Sequence, residues 1–431
     1  MLCIINGRII DPEQNKVYPG DVWIEDGIIR KIAVREEGKG ADAGELPEGA
    51  EVLNAEGMML GPGLIDTHVH FRDPGFTYKE DILSGGEAAK KGGYTGIVLM
   101  ANTRPPVDNR ETLRYVLEKG KQTGIRIESC ANVTKGMKGK EIVDMEGLSE
   151  EGAAGFTDDG IPLLNKELVK EAMLRAAGIG KPVSFHEEDP AKIVNNGINA
   201  GKASDFYGIG GSHREAEIDL IERDLELALE TGARVVIQHI SSKEGVELVR
   251  RAKAKNADVH AEATPHHFTL TQEAVIEKGT LAKMNPPLRE EEDRLAIIEG
   301  LKDGTIDLIA TDHAPHSREE KAQEITKAPS GIIGLETALS LGIRELVNKG
   351  YLTYPQLFSR MSAAPAELYG LPGGKMQEGQ TADLVIFDPK EEWKVREFVS
   401  RSDNSPFTGE ILPGVIYYTI CGGEIVYIKN I

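Results

Sequence analysis

His68 and His70 stand one residue apart in the run Gly63-Leu-Ile-Asp-Thr-His-Val-His-Phe-Arg72, the segment of the chain that speaks most directly of chemistry. Its apolar residues follow a turn of small residues, Gly61, Pro62 and Gly63, which predicts a buried strand entered from a turn. Side chains alternate across a strand, so Asp66, His68 and His70 share one face while Thr67 and Val69 share the other. Two imidazoles on one face at a strand end can chelate a divalent metal. Taken alone, the pair would fit two hydrogen-bonded core histidines equally well. It does not stand alone.

Polar residues recur at the ends of later apolar runs: Asn102, then Asp158 and Asp159, His186, His239, and finally Asp312, His313 and His316. Four histidines and two aspartates brought to one mouth offer nitrogen and carboxylate oxygen, a donor set that suits zinc and is compatible with manganese or cobalt. The elements that must deliver them are short apolar runs at 64–70, 96–102, 126–131, 155–158, 183–186, 235–239, 259–263 and 308–311, which read as buried parallel strands. Amphipathic helices lie between most of them. In 214–231, Ile218, Ile221, Leu225 and Ala228 recur at helical spacing against Glu217, Glu222, Arg223 and Glu226. This alternation predicts an α/β protein built as a (β/α)8 TIM-type barrel, with the polar residues at the mouth where barrel enzymes carry their sites. An open doubly wound sheet fits the same alternation, but no glycine-rich nucleotide fingerprint opens a helix after a strand.

Both chain ends differ from the middle. Asn6-Gly7, Asp26-Gly27 and Gly422-Gly423 each sit between strand-like runs, and such dipeptides favour the positive backbone angles of tight hairpins. The expected organisation is a small β-sandwich domain composed of residues 1–55 and 375–431, with the barrel domain, 56–374, inserted between its halves.

The chain has 431 residues and a formal net charge of −20. That charge disfavours sequence-independent nucleic-acid binding and an anionic membrane surface. Hydrophobic residues at 40% and charged residues at 28% are ordinary for a globular enzyme. Cys3, Cys130 and Cys421 are scattered, without a CxxC pattern, so a disulfide framework is not expected and a reducing cytoplasm is. Neither a signal peptide nor a membrane-spanning run is recognised.

The motifs resemble those of a known family. Asp66-Thr-His-Val-His-Phe-Arg-Asp-Pro74 is similar to the N-terminal metal motif of dihydroorotases, and Ala310-Thr-Asp-His-Ala-Pro-His-Ser-Arg-Glu-Glu-Lys321 to their C-terminal motif. Met100–Asp108, Phe156-Thr-Asp-Asp-Gly160 and Asn285-Pro-Pro-Leu-Arg289 fit between them in order. The closest likeness is to the bacterial type I dihydroorotases of the amidohydrolase superfamily. The resemblance implies a binuclear zinc site in which His68, His70 and Asp312 bind one ion and His186 and His239 the other. Many members bridge the metals with a carboxylated lysine on the fourth strand. No lysine lies in 156–160, so the chain resembles the subgroup that uses aspartate, and register relative to His186 favours Asp159 over Asp158.

The resemblance also implies a reaction. A dihydroorotase interconverts N-carbamoyl-L-aspartate and L-dihydroorotate, with Asp312 as the proton carrier. Arg72, Asn102 and His316 are expected to hold the exocyclic carboxylate, and Asn285 with Ser330 and Gly331 the ring. It further implies a homodimer and admits association with aspartate transcarbamoylase. The rival readings are a hydantoinase or allantoinase, whose neutral rings would give Arg72 no carboxylate, and an inactive barrel serving as a structural partner of aspartate transcarbamoylase. Other residues are expected to be structural: His260 in a strand, His213 at a helix start, Cys130 in packing, and the acidic run 290–293 at a helix start. His266 and His267 fall near the mouth without an assigned role.

Overall fold

A computed structural model describes residues 1–36, 46–47, 49–255 and 257–429. Two parallel sheets occupy its middle. One holds Leu64–Val69, Tyr94–Leu99 and Arg126–Ser129; the other holds Val183–Phe185, Val235–Ile237, Val259–Ala263 and Leu308–Ile309, both in sequence order. Single parallel bridges join the two sheets into a ring: Phe156 pairs with Ala131 and Val183, and Val69 pairs with His313. With helices such as Ile82–Lys91, Arg110–Gly120 and Glu215–Thr231 between successive strands, this is the expected (β/α)8 barrel.

Except for Val259–Ala263, which matches its run, the strands end earlier than the apolar runs that predict them. They stop at Val69, Leu99, Phe185, Ile237 and Ile309, each just before a residue of chemical interest. Residues past a strand end are released from ladder bonding, which frees their side chains for the mouth. The fourth strand, expected over 155–158, is reduced to the one bridging residue Phe156. Here the Asp158 carboxylate accepts from the amides of Val133 at 2.9 Å and Thr134 at 3.2 Å, so a side chain makes the tie that a longer ladder would have made. In Glu215–Thr231 the periodic residues Ile221, Leu225 and Ala228 are buried as expected, while Ile218 is only partly buried. Glu217 is buried with them, because its carboxylate accepts from Ser241 N at 2.8 Å and Oγ at 2.9 Å.

Both chain ends enter one eight-stranded sheet. Met59–Pro62 stands between the two contributions, parallel to Leu2–Asp11 and antiparallel to Leu384–Lys394. Side chains of this sheet, among them Ile4, Ile9, Val22, Leu60 and Ile386, form an apolar cluster of their own. Residues 37–45, 48, 430 and 431 of the expected terminal domain lie outside the described residues. Asp26-Gly27 and Gly422-Gly423 turn hairpins with positive φ at all four residues, as their composition predicts. Asn6-Gly7 does not. It lies inside Leu2–Asp11 at a bulge, with Asn6 at φ 58° and its amide donating to Asp21 Oδ1 at 2.8 Å, and the chain turns instead at 12–15. A residue of positive φ serves a bulge as readily as a turn. All three cysteines are buried and free, and no described helix is long and apolar enough to cross a membrane.

Candidate metal centre and active site

The strand ends deliver four imidazoles and two carboxylates to one point. Asp159 Oδ1 lies 3.4 Å from His68 Nε2, 3.7 Å from His186 Nδ1 and 3.8 Å from His239 Nε2, while its Oδ2 lies 3.4 Å from His70 Nε2. Asp312 Oδ1 is 3.0 Å from His70 Nε2 and 3.6 Å from His68 Nε2. Two triads of possible metal ligands result, His68–His70–Asp159 and Asp159–His186–His239, and Asp159 belongs to both. Asp158 is turned away, onto Val133 and Thr134. The backbone is bent to achieve this: Arg72, His239 and Asp312 have φ of 59°, 29° and 47°, a region that costs a non-glycine residue of order 1–3 kcal/mol and persists only when its surroundings enforce it.

A metal pair fits these donors. His68 Nε2 is buried without a hydrogen-bond partner, and the nitrogens of His186 and His239 face each other at 3.0 Å. Buried polar atoms are normally satisfied, and a cation satisfies lone pairs that converge in this way. Burial pushes the Asp159 carboxyl up, but His68 and hydrogen bonds from His186 and His239 hold it well below the usual carboxylate range. Asp312 is likewise raised by burial, then brought well below that range by the hydrogen bond from His70 and the charges of His68 and His239. Both carboxylates are therefore ionised and available.

Sequence reasoning missed the groups that hold the ligands in place. Glu262, on Val259–Ala263, accepts from Thr67 Oγ1 at 2.8 Å and lies 3.0 Å from His68 Nδ1, which aims the opposite ring nitrogen at the cluster. A single acid inside an apolar strand run was the available signal. Asp66 does not reach the cluster; its carboxylate accepts from the amides of His68 at 3.1 Å and Thr311 at 3.1 Å, tying the first strand to the last. Burial raises Asp66 to about 7. Carboxylates behind ligating histidines commonly contribute 10–100-fold in metal affinity. Glu262→Gln is thus expected to weaken metal binding by about 10–100-fold with little change in fold. Metal titration of the variant beside the parent checks this; equal affinities would show that His68 needs no such partner.

A cavity of about 120 Å³ opens on the cluster, lined among others by Arg72, Asn102, Asn285, Asp312, Ser330 and Gly331. Asn102 is committed to the ligands, with Oδ1 2.9 Å from His70 Nδ1 and Nδ2 3.0 Å from Asp159 Oδ2. Asn285 Nδ2 lies 3.1 Å from His186 Nε2, and its Oδ1 is buried without a partner. Arg72 Nε donates to the Pro315 carbonyl at 3.3 Å, and among the described residues its guanidinium makes no ion pair with a carboxylate. His316 Nε2 lies 2.9 Å from the Ser330 carbonyl, and its Nδ1 faces Lys79 Nζ at 3.3 Å. The shorter contact with the Ser330 carbonyl and the ammonium at Nδ1 favour the proton on Nε2, which Arg72 Nη2 also approaches at 3.4 Å. Burial and the charges of Arg72, Lys79 and Lys321 push His316 far down, so it remains neutral. Gly331 has φ 113°, and a Cβ there would lie 2.7 Å from Ala314 Cβ. His267 is structural, set between Thr264 Oγ1 at 2.8 Å and the Pro286 carbonyl at 3.1 Å, whereas His266 is buried near the cluster with its pKa brought down to about 4 by burial.

Comparison with known proteins places this geometry. The amidohydrolase family matches residues 59–426. The dihydroorotase of Clostridioides difficile (strain 630) is 54% identical over 427 residues, covering 99% of this chain and 100% of the relative. The chain belongs to the amidohydrolase family, among its dihydroorotases. The dihydroorotase of Lactococcus lactis subsp. lactis (strain IL1403) is 45% identical over 427 residues, covering 99% of each chain. Among solved structures, the L-hydantoinase (dihydropyrimidinase) from Arthrobacter aurescens matches with a TM-score of 0.86 and 27% identity over 100% of this chain and 96% of that one. The D-hydantoinase from Thermus sp. matches at 0.83 and 23% identity over 100% and 97%, a likeness of fold alone. This dihydroorotase-family chain is by class a metal-dependent cyclic amide hydrolase with a TIM barrel and a small β-sandwich. Since hydantoinases share the fold, the distinction between the two activities rests on the pocket beside the cluster.

Proposed function

We propose that the chain interconverts L-dihydroorotate and N-carbamoyl-L-aspartate with the help of two zinc ions, for which His68, His70 and Asp312 would supply ligands to one and His186 and His239 to the other, with Asp159 available to both. The observation that carries the reading is Arg72: a half-buried guanidinium on the pocket wall, without a carboxylate of its own, beside a cluster suited to cutting a cyclic amide. A planar fork of donors matches the exocyclic carboxylate of dihydroorotate. His316 is not among the residues lining the pocket and its Nε2 faces the Ser330 carbonyl, so it supports the wall from behind rather than donating to the substrate. Asn285 Oδ1, buried and unpartnered, is available to accept from a ring N–H. Asn102 acts on the carboxylate from behind, by fixing His70 and Asp159, rather than through a free amide of its own.

When bound, the metal pair supplies Lewis acidity, which acidifies water to near neutral pH and polarises the ring carbonyl. In hydrolysis, water adds to the carbonyl carbon, Asp312 receives the proton it sheds, and the same residue returns that proton to the ring nitrogen as the carbon–nitrogen bond breaks. Cyclisation runs these transfers in reverse.

Three buried free cysteines support a reducing, cytoplasmic setting. The reading extends to the domain division at 1–55 plus 375–431 and 56–374, save that Met59–Pro62 is a strand of the terminal sheet, to a homodimer, and to association with aspartate transcarbamoylase.

Arg72→Met tests the reading. Hydrogen bonds to a charged group are worth roughly 1.5–3 kcal/mol, so dihydroorotate turnover should weaken by about tenfold to a hundredfold, mostly in KM, with metal content unchanged. Hydantoin and allantoin should be poor substrates of the parent in the same assay. A variant with normal dihydroorotate kinetics, or a parent that prefers the neutral rings, would return the chain to the hydantoinase reading.

A further inference from the structure

Two lysines lie behind the substrate-facing wall in a setting unlike that of any surface lysine. Lys283 is 4% exposed and donates to the carbonyls of Ile325 at 2.8 Å and Ala328 at 2.7 Å. Lys321 is 5% exposed and donates to the carbonyls of Pro329 at 2.9 Å and Gly331 at 3.0 Å. All four carbonyls belong to one stretch, 325–331, whose last two residues line the pocket. The Lys283 carbonyl also accepts from Gly331 N at 2.8 Å, so one residue grips the stretch at two places. Among the described residues, neither ammonium makes an ion pair with a carboxylate. A buried charge left unpaired is costly and is rarely tolerated without a purpose. The cost is visible in Lys321, which burial and then the charge of Lys283 bring down to about 7. Lys321 is also one of the charges, after Arg72 and Lys79, that lower the neighbouring His316.

We propose that Lys283 and Lys321 are positioning residues for the anionic substrate: together they clamp the 325–331 stretch against the pocket, and their unpaired charge makes that wall favour an anion. The clamp sets the Ser330 carbonyl that orients His316 and the Gly331 backbone that faces the ring. The charge acts from behind, where a dianionic N-carbamoyl-aspartate or an anionic dihydroorotate gains from it and a neutral ring does not. The selectivity half rests on the substrate reading above; the clamp half does not.

The test uses the full zinc-loaded enzyme and the variants Lys321→Met, Lys283→Met and Lys321→Gln. Methionine keeps the apolar stem and removes donor and charge, whereas glutamine keeps a donor without charge. Amide hydrogen exchange reads the clamp, and steady-state kinetics with dihydroorotate read the selectivity. In both methionine variants, exchange over 325–331 should quicken about tenfold or more with the rest of the barrel unchanged, and KM should rise about tenfold while kcat moves by less than about threefold. Lys321→Gln should recover slow exchange but not the parent KM. Folded methionine variants with parental exchange and parental KM would overturn the proposal, as would quickened exchange with KM unmoved. If Lys321→Met fails to fold, Lys283→Met and Lys321→Gln carry the same comparison. A parent without dihydroorotate turnover would sink the substrate reading, and the exchange data would still decide the clamp.

Discussion

Asp312→Asn should lose on the order of 10²–10⁴-fold in turnover while keeping most of its metal, because general acid–base catalysis contributes about that much. In the proposed site Asp312 would be one of several groups around its ion, and the triad of His68, His70 and Asp159 remains when it is changed. Asparagine preserves the shape and one ligating oxygen, so the site should still fill. As a proton carrier, Asp312 has no replacement nearby. The imidazoles of the cluster turn their ring nitrogens toward one another and toward Asp159, and His316 is held neutral by burial and by Arg72, Lys79 and Lys321. A histidine whose pKa is pushed that far down cannot accept a proton near neutral pH. Metal content and rate must be measured on the same sample. Near-normal turnover with the metal retained would remove Asp312 from the mechanism.

Stripping the metal should abolish turnover and lower the thermal midpoint together. A neutral amide resists water, and no described residue in the pocket offers an alternative nucleophile positioned against a second activating group. The stability effect follows from mass action: a ligand that binds only the folded state stabilises it by about 2.7 kcal/mol at 100 times its Kd and about 4.1 kcal/mol at 1,000 times. Without metal, buried ligand atoms such as His68 Nε2 also lack a partner. Chelator-treated protein, checked by elemental analysis, should therefore be inactive and melt earlier, and zinc should restore both properties. Glu262→Gln should need more zinc for the same recovery. Full turnover by demonstrably metal-free protein would end the metal-dependent reading.

Much of this was legible in the residues alone. The alternation of apolar runs with amphipathic helices is a local property, and it was enough for a barrel whose strands end at the polar residues. The spacing of His68 and His70 is local too, since strand alternation puts both on one face, and so are the hairpins at Asp26-Gly27 and Gly422-Gly423, where the turn itself demands positive φ. Local signals failed where two structures satisfy the same demand. Asn6-Gly7 met it with a bulge, and the fourth strand shrank to Phe156 because the Asp158 side chain took over backbone ties.

Partnership between distant residues was decided only by barrel closure. Thr67 and Glu262 are 195 residues apart in sequence, and His70 and Asp312 are 242 apart, yet each pair is in contact. Periodicity states which face a side chain occupies; it does not state who sits opposite. For that reason Asn102 read as an amide free to bind the substrate, and sequence reasoning singled out neither Glu262 nor Lys283. The energetic penalty on an unpaired buried polar group then selects the partner, and that penalty exists only once the tertiary structure has removed the water.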